Sequence, residues 1–324
     1  MDFIPWDGRP IAKPCIVSRM PLSQYHRGDI CVGPSVSSSS LRKIMEYSPA
    51  HFFAYSPLNP NRRPEPDKKA FRLNRALHHL ILGEAFFSKL FIVHPEAIAD
   101  DEGKDAGLVK PWNNHRKKCK AWIAEQQADG KTVLTPDEVE QIIGMSKTLA
   151  ENSEVREGIL RGWVERSMFW QDEETGLWVK ARPDSIPRNL EYGDLKGTGT
   201  TVRWDDMQKS IEDWRYYQQA ALVAEGTRIL FGEEMKQFTY VFVENKYPHC
   251  VDTVEIKDDD LKRGHEDNRV ARRIIAHCLK TGHWYGPGGI GIRPIEMNEH
   301  AHKRVDENRA HKLSEIGQLE QDRK

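Results

Sequence analysis

Between Ser167 and Glu244 the spacing of apolar positions switches from short strand-like runs to a helical period and back. Side chains alternate faces along a strand and recur every three to four residues on a helix, so this switching predicts a change of element type. Ser167–Trp170, Leu177–Pro183 and Leu190–Lys196 read as three strands, with a turn at Asp172–Gly176 between the first two. Met207, Ile211, Trp214, Ala221 and Leu222 share one side of a helix predicted over Trp204–Glu225. Phe238–Glu244 alternates as a strand, Val251–Ile256 follows as another, and a long charged helix covers Asp258–Lys280.

Upstream, Leu73, Leu77, Leu80 and Ile81 fall at helical spacing and predict a helix over Lys69–Leu82, closed by Gly83. A helix is expected around Asn113–Gln127. Thr135-Pro136-Asp137-Glu138 combines a capping threonine, a first-turn proline and two acids, a strong helix start. A further helix is expected over Met145–Gly158, and Ile159 to Glu165 leads into the first strand. Leu41–Tyr47 reads as a short helix behind the polar run Ser37–Ser40, stopped before Ser48-Pro49. Residues 1–35 are rich in proline and glycine and are expected to be irregular; Asn59–Asp67, Gly197–Thr201 and Gly286–Gly289 read as loops. Residues 298–324 read as a polar helical tail.

The order through the middle is helix, strand, strand, strand, helix, strand. It predicts an α/β fold with a mixed central sheet flanked by helices. The expected division is an N-terminal region, 1–60, packing on a core domain, 61–293, followed by a polar tail, 294–324.

Composition bounds the function without naming it. The chain has 324 residues, 38% hydrophobic and 30% charged, with a net charge of −1. Nothing global therefore marks nucleic acid, and such binding would need local basic patches. Three are visible: Arg62, Arg63, Lys68, Lys69, Arg72 and Arg75; Arg116, Lys117, Lys118 and Lys120; and Lys262, Arg263, Arg269, Arg272 and Arg273. Each reads more readily as a solvated helix face than as a phosphate track. No apolar run is long enough for a membrane span. The start, Met1-Asp2-Phe3-Ile4-Pro5, has neither a basic beginning nor an apolar stretch, so no secretory leader is expected. Five scattered cysteines suit free thiols, and together these features place the protein in the cytoplasm.

The candidate chemistry lies at Asp184 and at Asp194-Leu195-Lys196. Positions two apart on a strand share a face, so Asp194 and Lys196 would point at one spot. If the strands ending near Asp184 and Lys196 pair as a hairpin, the two carboxylates converge. Two carboxylates and a lysine at one point suit magnesium-dependent phosphodiester hydrolysis. The bland reading is a Pro-Asp turn and a solvated ion pair.

Taken in order, Ala76-Leu77-His78, Glu165 with Trp170, Asp172-Glu173-Glu174-Thr175-Gly176, Arg182-Pro183-Asp184, Asp194-Leu195-Lys196 and Tyr216 with Gln219 and Ala221 resemble a known pattern. It is that of the PD-(D/E)xK superfamily, with its restriction-endonuclease-like core. Within it, the chain is similar to the phage-type exonucleases grouped with the C-terminal nuclease of exonuclease VIII (RecE). Ser37–Ser40 with Leu41, and Ser48-Pro49-Ala50-His51, extend the likeness, which spans roughly residues 35–290.

The resemblance implies that Asp184 and Asp194 bind a catalytic Mg²⁺, for which Mn²⁺ substitutes, with the Leu195 carbonyl and His78 as further ligands. It implies that Lys196 orients or deprotonates the attacking water. Gln219 and Tyr216 would position the lysine, the water or the phosphate, and Glu165 would support the site. The activity implied is 5′-to-3′ degradation of double-stranded DNA from a free end. That leaves single-stranded tails for a single-strand annealing protein in recombination. A ring-forming homo-oligomer in a bacterial or phage-infected cell is implied as well. The chain departs from the family pattern at Asn74, where glycine is frequent, at Gly197, where threonine is frequent, and at Val223, where an aromatic is frequent. Only Cys250 and Cys278 follow the last core strands, far apart, so the iron–sulfur cluster of some relatives is not expected. The alternatives are an endonuclease on the same fold and a non-catalytic DNA-binding protein.

Overall fold

The structure, a computed structural model, describes residues 3–63, 69–82, 87–99, 107–164, 166–288 and 294–321. Gly83, Glu165, Gly289 and the expected loop from residue 64 onward lie outside the described residues. Met1–Gly286 forms one compact unit and Pro287–Lys324 another. The second holds the helix Glu299–Gln321.

The strands that matter below are β1 (Cys15–Ser18), β2 (Ser35–Ser37), β3 (Ser167–Gln171), β4 (Trp178–Ala181), β5 (Glu191–Thr198), β6 (Gln237–Glu244) and β7 (Val251–Glu255). The helices are α1 (Ser38–Glu46), α2 (Lys69–Leu82), α3 (Pro136–Glu151), α4 (Trp204–Asp213), α5 (Tyr216–Phe231) and α6 (Asp258–Thr281). They build an α/β fold with mixed sheets flanked by helices, in the expected order.

Both faces of β6 are buried, which explains its near-continuous apolar character. Phe238, Tyr240 and Phe242 join Tyr192 of β5 in a core shared with α5 and α6, including Leu222, Ala271 and Ile275. Val241 and Val243 join Leu195 in a second core, covered by Leu73 and Leu77 of α2 and Met145 of α3. β5 pairs with β6 in parallel and β6 with β7 antiparallel. The alternation along β5 thus sends Asp194 and Lys196 toward α5, and Leu195 toward α2.

The second sheet corrects two expectations. Residues 1–37 are not wholly irregular. The strand Ile4–Pro5, β1 and β2 join β3 and β4 in a five-stranded mixed sheet, in the order Ile4–Pro5, β1, β3, β4, β2. Four- and three-residue strands carry little signal of their own and depend on partners distant in sequence. The expected hairpin between the Asp184 and Asp194 strands does not form. β4 pairs with β3 and β2, whereas β5 pairs with β6. Between them, Ser185–Ile186 pairs with Trp163–Val164.

Two helix boundaries also differ. The helix begun at Thr135 runs unbroken to Glu151, its start closed by reciprocal bonds between Thr135 and Glu138. Asn152 then caps a separate short helix, Ser153–Glu157. Gly144 lies inside α3, where its bare backbone faces the His249 ring. A Cβ there would lie 2.4 Å from His249 Nε2. The helix expected over Trp204–Glu225 is two helices, broken where Arg215 takes a left-handed φ of 48°. No glycine or proline marks that break.

A buried ion cluster ties α5 and α6 to the β3–β4 hairpin. Arg272 Nη1 donates to both oxygens of Glu225, at 2.7 and 2.9 Å, and Trp170 Nε1 donates to Glu225 at 3.0 Å. Arg272 Nε also lies 3.3 Å from Asp172 Oδ1, in the turn between the strands.

Candidate active site

The break at Arg215 lets α5 begin with Tyr216 facing the sheet, and Gln219 follows one turn later on the same side. Gln219 Nε2 donates to Asp194 Oδ1 at 2.7 Å. Asp194 Oδ2 forms an ion pair with Lys196 Nζ. The ammonium sits 4.9 Å from the Tyr216 ring centre and 5.4 Å from that of Tyr240. Tyr240 Oη donates to the Tyr216 carbonyl at 2.9 Å, which locks the two rings together. Asp194 is only 1% exposed. Burial, reinforced by the nearby Asp184 charge, pushes its carboxyl up to about 6. Burial pulls Lys196 down, but Asp194 outweighs it and holds the amine above its ordinary range.

Asp184 reaches the same place without a hairpin. Its Oδ2 accepts a hydrogen bond from the Leu195 amide at 2.7 Å, so the carboxylate is pinned to the middle of β5. His78 comes from α2 and puts Nε2 at 3.2 Å from Asp184 Oδ2. Its Nδ1–H donates to the Asn74 carbonyl at 2.7 Å, which fixes the ring and leaves Nε2 facing the site. Burial pulls the His78 pKa down, yet the Asp184 carboxylate overrides this and holds it at about 9. For Asp184, burial raises the pKa and the His78 charge more than offsets it, leaving the carboxyl below its usual value.

The structure therefore brings Asp184, Asp194, Lys196, His78, Gln219 and Tyr216 together. Glu165 lies outside the described residues. Among the described residues, no group of three His, Cys, Asp or Glu side chains forms a ready metal cage. The donor set suits a hard divalent ion on chemical grounds. One buried and one partly buried carboxylate supply charge, and an imidazole with Nδ1 committed elsewhere presents Nε2. An ion that keeps several waters needs no more than one or two carboxylates. The Leu195 N–H donates to Asp184, and the backbone group of that residue able to bind a cation is its carbonyl.

Arg42 was not singled out by sequence. On α1, it donates to the Trp214 carbonyl at 2.7 Å and lies 5.8 Å from the Tyr216 ring centre, the ring that also carries Lys196. Among the described residues this guanidinium has no carboxylate partner. Its only sequence signal is its place after the serine run. The third basic patch is not a free cationic track. Lys262 and Arg263 pair with Asp259 and Asp260, Arg269 and Arg273 pair with Glu174, and Arg272 is buried against Glu225.

Residues 37–290 match the model of a family described as a PDDEXK-like domain of unknown function (DUF3799). The chain belongs to that family. Its restriction-endonuclease-like fold also appears in a crystal structure of a candidate exonuclease from Eubacterium rectale. The likeness covers 85% of this chain and 92% of that one, with a TM-score of 0.54 and 13% sequence identity. No curated protein matches the sequence. Pro183-Asp184 and Asp194-Leu195-Lys196 spell the order P-D, then D-x-K, in this chain. Family and fold together support a nuclease. Among the described residues no helix is long and apolar enough to cross a membrane.

Proposed function

We propose that this protein is a metal-dependent exodeoxyribonuclease that hydrolyses phosphodiester bonds of linear double-stranded DNA from a free end. The observation that carries the reading is the meeting of Asp184, pinned to the Leu195 amide, with the buried Asp194–Lys196 pair. Such a cluster is costly in a purely structural role, since a buried carboxylate beside a second one is destabilised.

Asp184, Asp194 and the Leu195 carbonyl would hold the ion, Mg²⁺ with Mn²⁺ as substitute, and His78 Nε2 would complete or border the site. When bound, the ion would neutralise the phosphate and stabilise the developing charge on the leaving oxygen. Gln219 fixes the rotation of Asp194, so one oxygen is already oriented before substrate arrives. Lys196, caged between the Tyr216 and Tyr240 rings, orients the attacking water with its ammonium. Arg42 supplies a cation for a phosphate oxygen beside the scissile bond. The likeness to the RecE-type nucleases further supports 5′-to-3′ polarity, tails passed to a single-strand annealing protein, and a ring of identical subunits.

The test is nucleotide release from linear duplex DNA with Mg²⁺, run beside closed circular DNA and the Lys196→Ala and Asp194→Ala variants. Release from linear DNA alone, lost in both variants, is expected. Cutting of closed circles would replace the exonuclease by an endonuclease. Binding without release from either substrate would leave a DNA-binding protein.

A further inference from the structure

Asn74 touches both halves of the site. Through its backbone, its carbonyl accepts the 2.7 Å bond from His78 Nδ1 and so orients the ring toward Asp184. Through its side chain, Nδ2 donates to the carbonyl of Gly197 at 3.2 Å, one residue beyond Lys196. The amide can face only one way, because a carbonyl oxygen accepts and only the NH₂ end can donate to it. Oδ1 is therefore directed over the Gly197 backbone. A Cβ on residue 197 would lie 2.1 Å from Asn74 Oδ1, 3.1 Å from its Cγ and 2.7 Å from Asn245 Oδ1. The bare glycine is what admits the asparagine. The Asn245 backbone N–H donates to the Thr198 carbonyl at 2.8 Å, which fixes that backbone beside β5.

We infer that Asn74 is a positioning residue, with Gly197 as its obligate partner. The clamp is a direct hydrogen bond from α2 to β5 and, beside the bridge through Asp184, it sets where His78 stands over the Asp194–Lys196 pair. The physical need is clear from how the halves are carried. His78 rides on a helix and Lys196 on an edge strand of the three-stranded sheet, and α2 otherwise meets that strand through apolar packing and through one indirect polar bridge, from His78 by way of Asp184 to the Leu195 amide. Apolar contact tolerates sliding, whereas a hydrogen bond to one carbonyl fixes register. A misplacement of about 1 Å at reacting groups costs roughly 100-fold in rate. This inference rests on the proposed nuclease reading.

The decisive experiment compares Asn74→Ala, Gly197→Ala and the double variant with the wild type. It reads kcat and KM on linear duplex DNA, Mn²⁺ binding by calorimetry, and the Tm of the metal-free protein. Asn74→Ala keeps the helix carbonyl that holds His78 and loses only the clamp. Its kcat and its Mn²⁺ affinity should each fall about 10- to 100-fold. KM should stay within about twofold, because the clamp sets reacting groups rather than the DNA grip. Gly197→Ala should fall at least as far, since a methyl group collides with the Asn74 amide. The double variant should lose less than the product of the two single losses, because the smaller residue 74 vacates the nearer contact while that with Asn245 Oδ1 remains.

An Asn74→Ala protein with wild-type kcat and Mn²⁺ affinity would overturn the inference. So would losses in the two single variants that simply multiply in the double, or a kcat loss accompanied by a matching fall in Tm. A wild type that binds Mn²⁺ but releases no nucleotide would sink the nuclease reading alone. The Mn²⁺ titrations of the three variants would then still decide the clamp.

Discussion

Gln219 Nε2 donates a 2.7 Å hydrogen bond to Asp194 Oδ1, joining a helix to the acidic strand across 25 residues of chain. The bond removes rotational freedom from a carboxylate that must present a fixed oxygen. Gln219→Ala should lower kcat about 10- to 100-fold, the usual cost of losing a group that orients a ligand. The fold should persist, because Gln219 is only half-buried and α5 is anchored in the core by Ala220, Leu222 and Val223. Steady-state kinetics beside a thermal melt checks both. An unchanged kcat would make the bond incidental.

The His78–Asp184 pair predicts a pH dependence of stability in the metal-free protein. His78 is held at about 9, against 6.5 for a free imidazole. The folded state thus keeps a proton that the unfolded state has lost between those values. Its stabilising contribution is full below about 6.5 and is lost as pH rises to about 9. Melts in chelator should show Tm falling across this window more steeply in the wild type than in His78→Gln. Equal slopes would mean that Asp184 does not retain the proton.

Asp194 gives the same sign lower on the scale. Raised from 3.8 to about 6, it binds a proton more tightly when folded, so its ionisation costs stability as pH rises through that range. Asp194→Asn should flatten the metal-free stability profile between about pH 4 and 6 while abolishing hydrolysis. A profile that stays as steep would assign the slope to another group.

The Glu225–Arg272 pair is a structural counterpart to the acidic site. Arg272→Met leaves the Glu225 carboxylate buried with the Trp170 indole and, 4.0 Å away, His265, and should cost about 3–5 kcal/mol, read from urea unfolding. Since the pair touches neither Asp184 nor Asp194, the fraction that remains folded should keep its specific activity. A loss under 1 kcal/mol would show that the cluster relaxes freely.

Arg42 is expected to act on DNA affinity rather than on folding. Arg42→Ala should weaken duplex binding and reduce the slope of log affinity against log salt by about 1, as removal of one phosphate contact does. Anisotropy titrations at several salt concentrations read this directly. An unchanged slope would move Arg42 out of the DNA path.

Local pattern was enough to determine the element order and the strand that carries Asp194 and Lys196. A period of two on β5 puts those residues on one face whatever the partner strand is. A capping threonine with Pro136 and Glu138 is likewise enough to start α3. What sequence could not supply was how Asp184 arrives. The short chain path from Asp184 to Asp194 suggested a hairpin, but the two strands belong to different sheets. A single side-chain bond to the Leu195 amide, rather than a ladder, joins them. Only tertiary structure decides such a contact, because a hydrogen bond between side chain and distant backbone leaves no periodic trace.

The same limit governs Arg215, Arg42 and Asn74. A left-handed arginine is intrinsically unfavourable and is imposed by packing, so the break that aims Tyr216 and Gln219 had no glycine to announce it. Arg42 carried no signal of its own in the sequence, and the fold sets it and Lys196 against the same Tyr216 ring. Asn74 and Gly197 stood as two unrelated departures from a family pattern, and the fold makes them one contact. The sequence by itself determined which chemical groups are present and which face of each element carries them. The tertiary structure alone decided their distances, because those depend on packing between elements far apart in the chain.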